Sequence, residues 1–363
     1  MLKVNNVSLH PAVAAVCLLS FCASPALRAQ QDEETIREVK VTNVDLAAAH
    51  LAAPGRVHAL PANVAGATEK LTAFHRERNA VARKSDSDSH GDSASANAPY
   101  FYPGDLSSGG GPTLASTRQH AVYVNANGSI ASNWGNPEGF LRDLNESSFI
   151  QITNQYVGTR AEDRYPVGEH ARVHYGTPGA TLYEQDIAAI AHAVAKEHGA
   201  GGGNIYHVFL PQGTDTCFDV TPQNPVPVCY SPDNPATFAF CGYHDAVPFQ
   251  DIGIVLFTVE PWQGPGSGCE IATPPPNSLL IDSTNNVLSH ETFETITDPL
   301  PGLGYFNQTG GLLTGAEIGD ECVLFNFSNS PGAYAPPTFE INGKNYAVQP
   351  EYSNKYHACV TQP

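Results

Sequence analysis

The chain has few basic residues, and its apolar N-terminal run is too short for a permanent membrane span. It contains 18 Lys and Arg against 36 Asp and Glu, so its formal net charge is −18 at pH 7. Nucleic-acid phosphates need a basic surface, so we expect neither DNA nor RNA as a partner. The apolar run at Pro11–Phe21 is shorter than the roughly 20 residues of a spanning helix.

Several motifs of common enzyme and metal sites are also missing. The sequence contains no GxSxG motif, so nothing supports a serine hydrolase with a nucleophile elbow. It contains no CxxC pair, which argues against a structural zinc site built on thiolates. The glycine run at Gly109–Gly111 is not followed by Lys-Ser or Lys-Thr, so we interpret it as a flexible turn and not as a phosphate-binding loop.

Residues 1–29 have the pattern of a secretory signal peptide. Lys3 precedes the apolar run, and small residues follow it up to Ala29. This pattern predicts cleavage near Ala26 or Ala29 and secretion to an extracellular or periplasmic location.

Six cysteines lie outside the signal, and an even number in an exported protein predicts three disulfides. Six cysteines allow 15 connectivities. Of these we favour the pairing of neighbours along the chain: Cys217 with Cys229, Cys241 with Cys269, and Cys322 with Cys359. The last pair would tie the C-terminal tail to the acidic segment GAEIGDEC, which contains Cys322.

The segment 30–98 differs in composition from the rest of the chain. Ala, Arg, Glu and Ser dominate it, and Lys84–Ala98 is a polar tract without aromatic residues. Such a tract cannot bury enough apolar surface to become ordered. We interpret 30–98 as a pro-region that shields a functional site or as a disordered linker, with short helices in its less polar parts. The domain itself would then be 99–363.

Helical and strand patterns alternate within 99–363. The runs HAVYVNANG, NIYHVFLPQG and DIGIVLFTVEP predict strands, and FEINGKNYAV predicts a C-terminal hairpin. Leu182–His198 predicts an amphipathic helix that Gly199 ends. The Pro-rich segment Thr214–Phe249 predicts a loop. Together these patterns predict an α+β domain with a mixed sheet and disulfide-stapled loops.

The stretch Asp282–Pro299, with the sequence DSTNNVLSHETFETITDP, predicts the helix of a metal site. Ser283 or Thr284 can cap this helix at its start, and the Asp-Pro pair ends it. His290 and Glu294 are four residues apart, so both side chains leave the same face of the helix and can hold one metal ion.

His290, Glu291 and Glu294 form an HExxE pattern. In HExxH proteases two metal ligands flank a glutamate that acts as a general base. Zinc also accepts a carboxylate oxygen, so HExxE can supply half of a zinc site. A solvated helix face is the alternative, because the pattern alone has low specificity. The downstream segment GAEIGDEC is a possible source of a third ligand, which hydrolytic zinc sites require.

The two segments together resemble the EXORDIUM-like (phosphate-induced protein 1) proteins of plants and their secreted bacterial relatives. SHETFETITDP and GAEIGDEC are similar to the HELAE, TNP or TDP, and EIxDxC pattern of that family. FCGYHDAVPF at Phe240–Phe249 is similar to its CGYH or CGFH segment, and 109–135 is a weaker match. The resemblance covers roughly 100–363, strongly at three short motifs.

The resemblance implies a zincin-like metallopeptidase domain with an active-site helix. It implies a general base, Glu291, and three metal ligands: His290, Glu294 and Glu317. Asp320 is the alternative third ligand or a residue that supports one. His244 and Tyr243 lie in the CGYH segment, where they could bind substrate or have a structural role between neighbouring disulfides.

We therefore expect a secreted, monomeric, zinc-dependent hydrolase, and specifically a peptidase that acts on peptide or protein substrates. Zn²⁺ is the expected ion, and Ca²⁺ is a less favoured candidate that carboxylate-rich ligation would also suit. The alternative is a secreted or cell-surface binding protein that has a zincin-like fold and a structural metal but no turnover.

Overall fold

The computed structural model describes residues 37–41, 56–75, 104–220, 225–309, 314–323 and 334–363. The expected signal peptide and the polar tract Lys84–Ala98 lie outside these residues. The chain divides into two compact units, Met1–Ile36 and Arg37–Pro363. All of the described residues belong to the second unit.

A mixed sheet of seven strands forms the centre of this unit. From one edge to the other, its strands are β1 (Arg37–Lys40), β5 (Ala171–His174), β4 (Arg118–Val124), β7 (Asn204–Phe209), β11 (Gly253–Glu260), β10 (Phe240–Phe249) and β2 (Arg56–Pro61). The first five strands pair in parallel. In contrast, β10 pairs antiparallel with both β11 and β2. This sheet confirms the prediction of an α+β protein with a mixed sheet.

Smaller sheets surround the central one. Their paired strands are β3 (Leu106–Ser108) with β12 (Tyr305–Asn307), β6 (Leu182–Tyr183) with β8 (Thr216–Cys217) and β9 (Cys229–Tyr230), β13 (Thr338–Ile341) with β14 (Lys344–Ala347), and β15 (Glu351–Ser353) with β16 (Ala358–Val360). The pair β13 and β14 is the expected C-terminal hairpin. Its turn residues Asn342 and Gly343 have φ angles of 48° and 77°, which Asn and Gly tolerate best.

The helices lie between and around the strands. In chain order they are α1 (Ile130–Trp134), α2 (Pro137–Asn145), a 3₁₀ turn (Ile150–Thr153), α3 (Asn154–Val157), α4 (Glu184–His198), α5 (Leu279–Thr297) and α6 (Asp320–Val323). The stretch 67–75 is also helical. Helix α4 packs against β1, β7 and β11, whereas α5 packs against β2, β10 and β11. Within the described part of the chain, no helix is both long and apolar enough to cross a membrane.

Helix α5 begins earlier than the sequence analysis predicts. Its N-cap is Ser278, whose hydroxyl accepts a hydrogen bond from the backbone N–H of Ile281. Ser283 and Thr284 lie inside the helix, and both are buried. The prediction was wrong because several residues of this stretch have the side-chain chemistry of a cap, and only the fold selects the one that is used. The end at Thr297, before the Asp-Pro pair, is as predicted.

Two stretches that the sequence placed outside regular structure contribute strands to the central sheet. β1 and β2 lie within 30–98, so the compact unit begins at Arg37 and not at residue 99. The supposed loop Thr214–Phe249 contains β8, β9 and the ten-residue strand β10. β10 includes a proline near one end, which lowers its apparent strand propensity, but nine of its ten residues are buried.

The six described cysteines form three disulfides in the favoured pairing. Cys217 bonds to Cys229, Cys241 to Cys269, and Cys322 to Cys359. The third disulfide joins α6 to β16, as expected for a link between the acidic segment and the tail.

Candidate metal centre

Helix α5 presents His290 and Glu294 from successive turns. The His290 Nε2 atom lies 3.1 Å from Glu294 Oε1, and both side chains are 0% exposed. Every residue of the helix from Asp282 to Thr297 is buried, because α5 lies between the central sheet on one side and α1, α2 and β14 on others. The alternative of a solvated helix face therefore does not apply to this pattern.

The acidic segment at the start of α6 places two further carboxylates beside this helix. Asp320 Oδ1 lies 3.8 Å from His290 Nε2. The backbone N–H of Asp320 donates to Glu294 Oε1 at 3.3 Å, and the backbone N–H of Glu317 donates to Asp320 Oδ2 at 3.2 Å. The first of these bonds links the acidic segment to the HExxE turn, and the second orients the Asp320 side chain within the segment.

Glycines allow the two neighbouring elements to approach α5 closely. A Cβ atom on Gly319 would lie 2.3 Å from His290 Nδ1, far inside van der Waals contact. On β10, a Cβ atom on Gly242 would lie 2.6 Å from a Val287 methyl group and 2.8 Å from Glu291 Oε1. The close approach of both elements to α5 is therefore possible only because these two positions are glycine.

His244 reaches the cluster from β10. Its Nε2 atom lies 3.3 Å from Glu317 Oε2 and 3.8 Å from Glu294 Oε2. Tyr243, the other candidate in this segment, lies in the apolar core, where its ring centroid is 4.9 Å from that of Phe218. Successive residues of a strand face opposite sides of the sheet, so β10 brings His244, and not Tyr243, to this cluster.

His58 of β2 completes the cluster, and sequence reasoning missed it. It lies directly across from His244 in the strand register. Its Nε2 atom makes a hydrogen bond with Asp320, and its Nδ1 atom is 3.5 Å from Glu317 Oε1. The sequence signal is a single histidine in the run RVHALP, 262 residues from Asp320. No spacing rule connects residues so far apart.

Two sets of three residues could each hold a metal ion. Within each set the three donor atoms all lie within 4.8 Å of one another, and Glu294 belongs to both sets. One set contains His58 and Asp320, and the other contains His244 and Glu317. His290 belongs to neither set, but its contacts with Glu294 and Asp320 place it beside the first. These buried groups could hold a metal ion.

Many of the donor atoms make no hydrogen bond, although some of them lie within ion-pair distance of one another. Hydrogen bonds are absent from both ring nitrogens of His290, Nε2 of His244, Oε2 of Glu294 and both carboxylate oxygens of Glu317. Leaving buried polar atoms unsatisfied costs about 1–3 kcal/mol each, and more when they are charged. A divalent cation would satisfy these atoms, and a mixture of imidazole nitrogen and carboxylate oxygen is a donor set that zinc accepts.

The electrostatics of the cluster also favour a cation. Burial, together with neighbouring carboxylates, raises the pKa of Glu317 well above its usual range. Burial also raises the pKa of Asp320, but the charges of His58 and His290 outweigh this effect and lower it to about 2. Burial lowers the pKa of His58, but the ion pair with Asp320 reverses this and raises it to about 9. Together with Glu291, the cluster contains four carboxyl groups and three imidazoles, and burial lowers the pKa of one of these imidazoles, His244, well below its usual range.

Glu291, the expected general base, is fully buried between α5 and β10. Neither of its carboxylate oxygens has a hydrogen-bond partner. Burial raises its pKa well above the usual range, and the charges of Glu294 and Glu260 add to this effect. A cation bound at the neighbouring cluster would favour the ionised form that a general base needs.

Comparison of the chain with protein-family models and with curated protein sequences found no match. The functional interpretation therefore depends on the geometry of this cluster. Its chemistry combines three imidazoles, three carboxylates and a separate buried glutamate, which β2, β10, α5 and the acidic segment at the start of α6 contribute.

Proposed function

We propose that this protein is a secreted zinc-dependent peptidase of the zincin type. The observation that carries the proposal is the convergence of buried imidazole and carboxylate donors, several without hydrogen bonds, around the HExxE turn of α5. The three disulfides support export, because such bonds persist in oxidising compartments. The resemblance of three motifs to the EXORDIUM-like family agrees with this proposal.

In the proposed site, His290, Glu294 and one carboxylate of the acidic segment GAEIGDEC would hold zinc. Asp320 is the better placed third ligand, because it approaches His290 to 3.8 Å. Glu317 contacts His244 and also His58, which Asp320 contacts as well. Bound zinc would supply a Lewis acid that polarises a substrate carbonyl and lowers the pKa of water.

Glu291 is the residue that takes the proton from the attacking water in this proposal. It follows His290 directly on α5, and its buried carboxylate has no competing hydrogen-bond donor. His244 lies on the β10 side of the cluster, where its ring can donate a hydrogen bond to the oxygen on which negative charge develops. Calcium fits less well than zinc, because calcium prefers an all-oxygen donor set and this cluster includes three imidazoles.

The first experiment compares the purified wild type with Glu291→Gln, which preserves the side-chain volume against Gly242. We expect both proteins to contain zinc by elemental analysis. With a pool of fluorogenic peptides and long incubation, we expect the variant to be slower by about 10²–10⁴-fold, the usual contribution of a general base. Glu340→Gln is the matched control, because Glu340 is exposed on β13 and its loss should leave the rate unchanged.

The same experiment tests the alternative of a binding protein with a structural metal. Full burial of the donors favours this alternative, since structural zinc sites are closed and catalytic sites keep an open position. Zinc retained by the wild type without hydrolysis would support it. Equal rates for the wild type and Glu291→Gln would contradict the assigned base, and a chain that never retains metal would contradict both functions.

A further inference from the structure

Strand β2 covers the edge of β10 that would otherwise be the free edge of the central sheet. The two strands pair antiparallel, in a register that runs from Phe240 opposite Pro61 to Ala246 opposite Arg56. An extended peptide that binds a sheet edge makes the same kind of main-chain hydrogen bonds. β2 therefore occupies the position at which β10 could bind an extended peptide beside the metal centre.

The side chain of His58 closes the centre from the same direction. It contacts both carboxylates of the acidic segment, Asp320 and Glu317, and its ring centroid is 6.1 Å from that of His244. The His58 side chain is 12% exposed, whereas those of Glu317 and His290 are 0% exposed. His58 thus lies on the solvent side of the cluster and covers the groups that a substrate would have to reach.

The helical stretch 67–75 anchors the segment 56–75, which begins with β2, to the rest of the protein. Phe74 stacks on Phe218, with a centroid distance of 4.6 Å. The Lys70 ammonium donates to the backbone carbonyl of Ala236 at 3.0 Å. These contacts would keep β2 bound along the edge of β10 without any covalent link.

The position of the segment in the fold would allow it to separate from the rest of the protein once the chain is cleaved. All three disulfides join residues within Cys217–Cys359. β1 and β2 are the two edge strands of the central sheet, so their removal leaves the five inner strands paired with one another. The sequence that follows includes the polar tract Lys84–Ala98, and such tracts are preferred sites of proteolytic cleavage.

We propose that residues 56–75 are an inhibitory segment of this chain, which binds the edge of β10 in place of an extended peptide and closes the metal centre with His58. This inference rests on the proposed peptidase function. Cleavage of the chain after the segment allows it to dissociate, which frees the edge of β10 and one side of the donor cluster. The intact chain is then a latent form, and the substrate is an extended peptide that binds antiparallel to β10.

The test begins with the full-length protein carrying a site-specific protease recognition sequence within 84–98. After folding and zinc loading, the protein is cleaved and separated from the released fragment by size exclusion. We expect hydrolysis of fluorogenic peptides to increase at least tenfold. A synthetic peptide of residues 54–76 should inhibit the cleaved protein, and its His58→Ala version should bind at least tenfold more weakly. The Glu69→Ala peptide is the control, because Glu69 is exposed on the same segment.

Peptide binding, measured by fluorescence anisotropy, separates failure of this inference from failure of the proposed function. If the cleaved protein prefers the wild-type peptide to the His58→Ala peptide but hydrolyses nothing, the segment is a releasable ligand of the centre and the peptidase function is wrong. The inference is overturned if the fragment does not leave after cleavage, if zinc leaves with it, or if the two peptides bind equally. The inference is also overturned if the intact protein already hydrolyses peptides and cleavage does not increase its rate of hydrolysis.

Discussion

Gly319 lies where the loop that carries Glu317 and Asp320 passes over the ring of His290. A Cβ atom at this position would be 2.3 Å from His290 Nδ1, so Gly319→Ala must displace either the ring or the loop. Because loss of ligand orientation typically lowers metal affinity about 10–100-fold, we expect a decrease of this size in zinc affinity, measured by competition with a chelator.

Gly203→Ala is the control for this substitution. Gly203 has open space around its Cβ position and no unusual φ angle, so its replacement should change zinc affinity little. Unchanged affinity in Gly319→Ala, with a circular dichroism spectrum like that of the wild type, would show that the loop is not held in contact with His290.

At the scale of elements, the disulfide Cys322–Cys359 holds α6, and with it Asp320, against the C-terminal tail. Replacing both cysteines by serine should destabilise the protein by about 2–5 kcal/mol and should also weaken zinc binding, because the loop carboxylates lose their tether. Denaturant unfolding and chelator competition measure the two effects.

The double variant Cys217→Ser/Cys229→Ser provides the comparison. This disulfide joins β8 to β9, and neither strand contributes a donor to the cluster, so its loss should lower stability without a comparable change in zinc affinity. Equal effects of the two double variants on zinc affinity would mean that general destabilisation, and not the tether, accounts for weaker binding.

At the scale of the whole molecule, the central sheet contains a histidine that folding keeps neutral. His207 is fully buried and hydrogen-bonds to Thr258 and Gln119 on the neighbouring strands. Burial, with a smaller contribution from His120, lowers its pKa to about 3. The unfolded chain, with an ordinary histidine pKa near 6.5, therefore binds more protons than the folded protein between these pH values.

This difference predicts that His207 contributes its full stability above about pH 6.5 and loses it as the pH falls towards 3. The slope from this group is up to about 1.4 kcal/mol per pH unit. Denaturant unfolding at pH 7, 6 and 5 should show a shallower slope for His207→Gln than for the wild type. His174→Gln is the control, since the His174 side chain is 73% exposed. Parallel slopes for all three proteins would contradict the prediction.

The elements with strong local signals could be predicted from the sequence. Helix α4 and strands β4, β7 and β11 lie where their apolar patterns indicate, because each carries its own periodicity within a short stretch. The HExxE turn was also visible, since four-residue spacing is a property of any helix. β10 was missed, because its motif combines a proline, a glycine and the polar pair His244-Asp245, which resemble a loop until the neighbouring strands are known.

The sequence alone determined the residues that can bind a metal on α5, the acidic segment that could add a ligand, and the favoured pairing of the six cysteines. Only the tertiary structure decided that α5 is buried on all sides, that His244 faces the cluster and Tyr243 does not, and that His58 belongs to it. The physical reason is that local spacing fixes which side chains share a face of one helix. Strand pairing between distant segments, by contrast, depends on the packing of the whole sheet, so it leaves no local pattern by which His58 could be linked to Asp320.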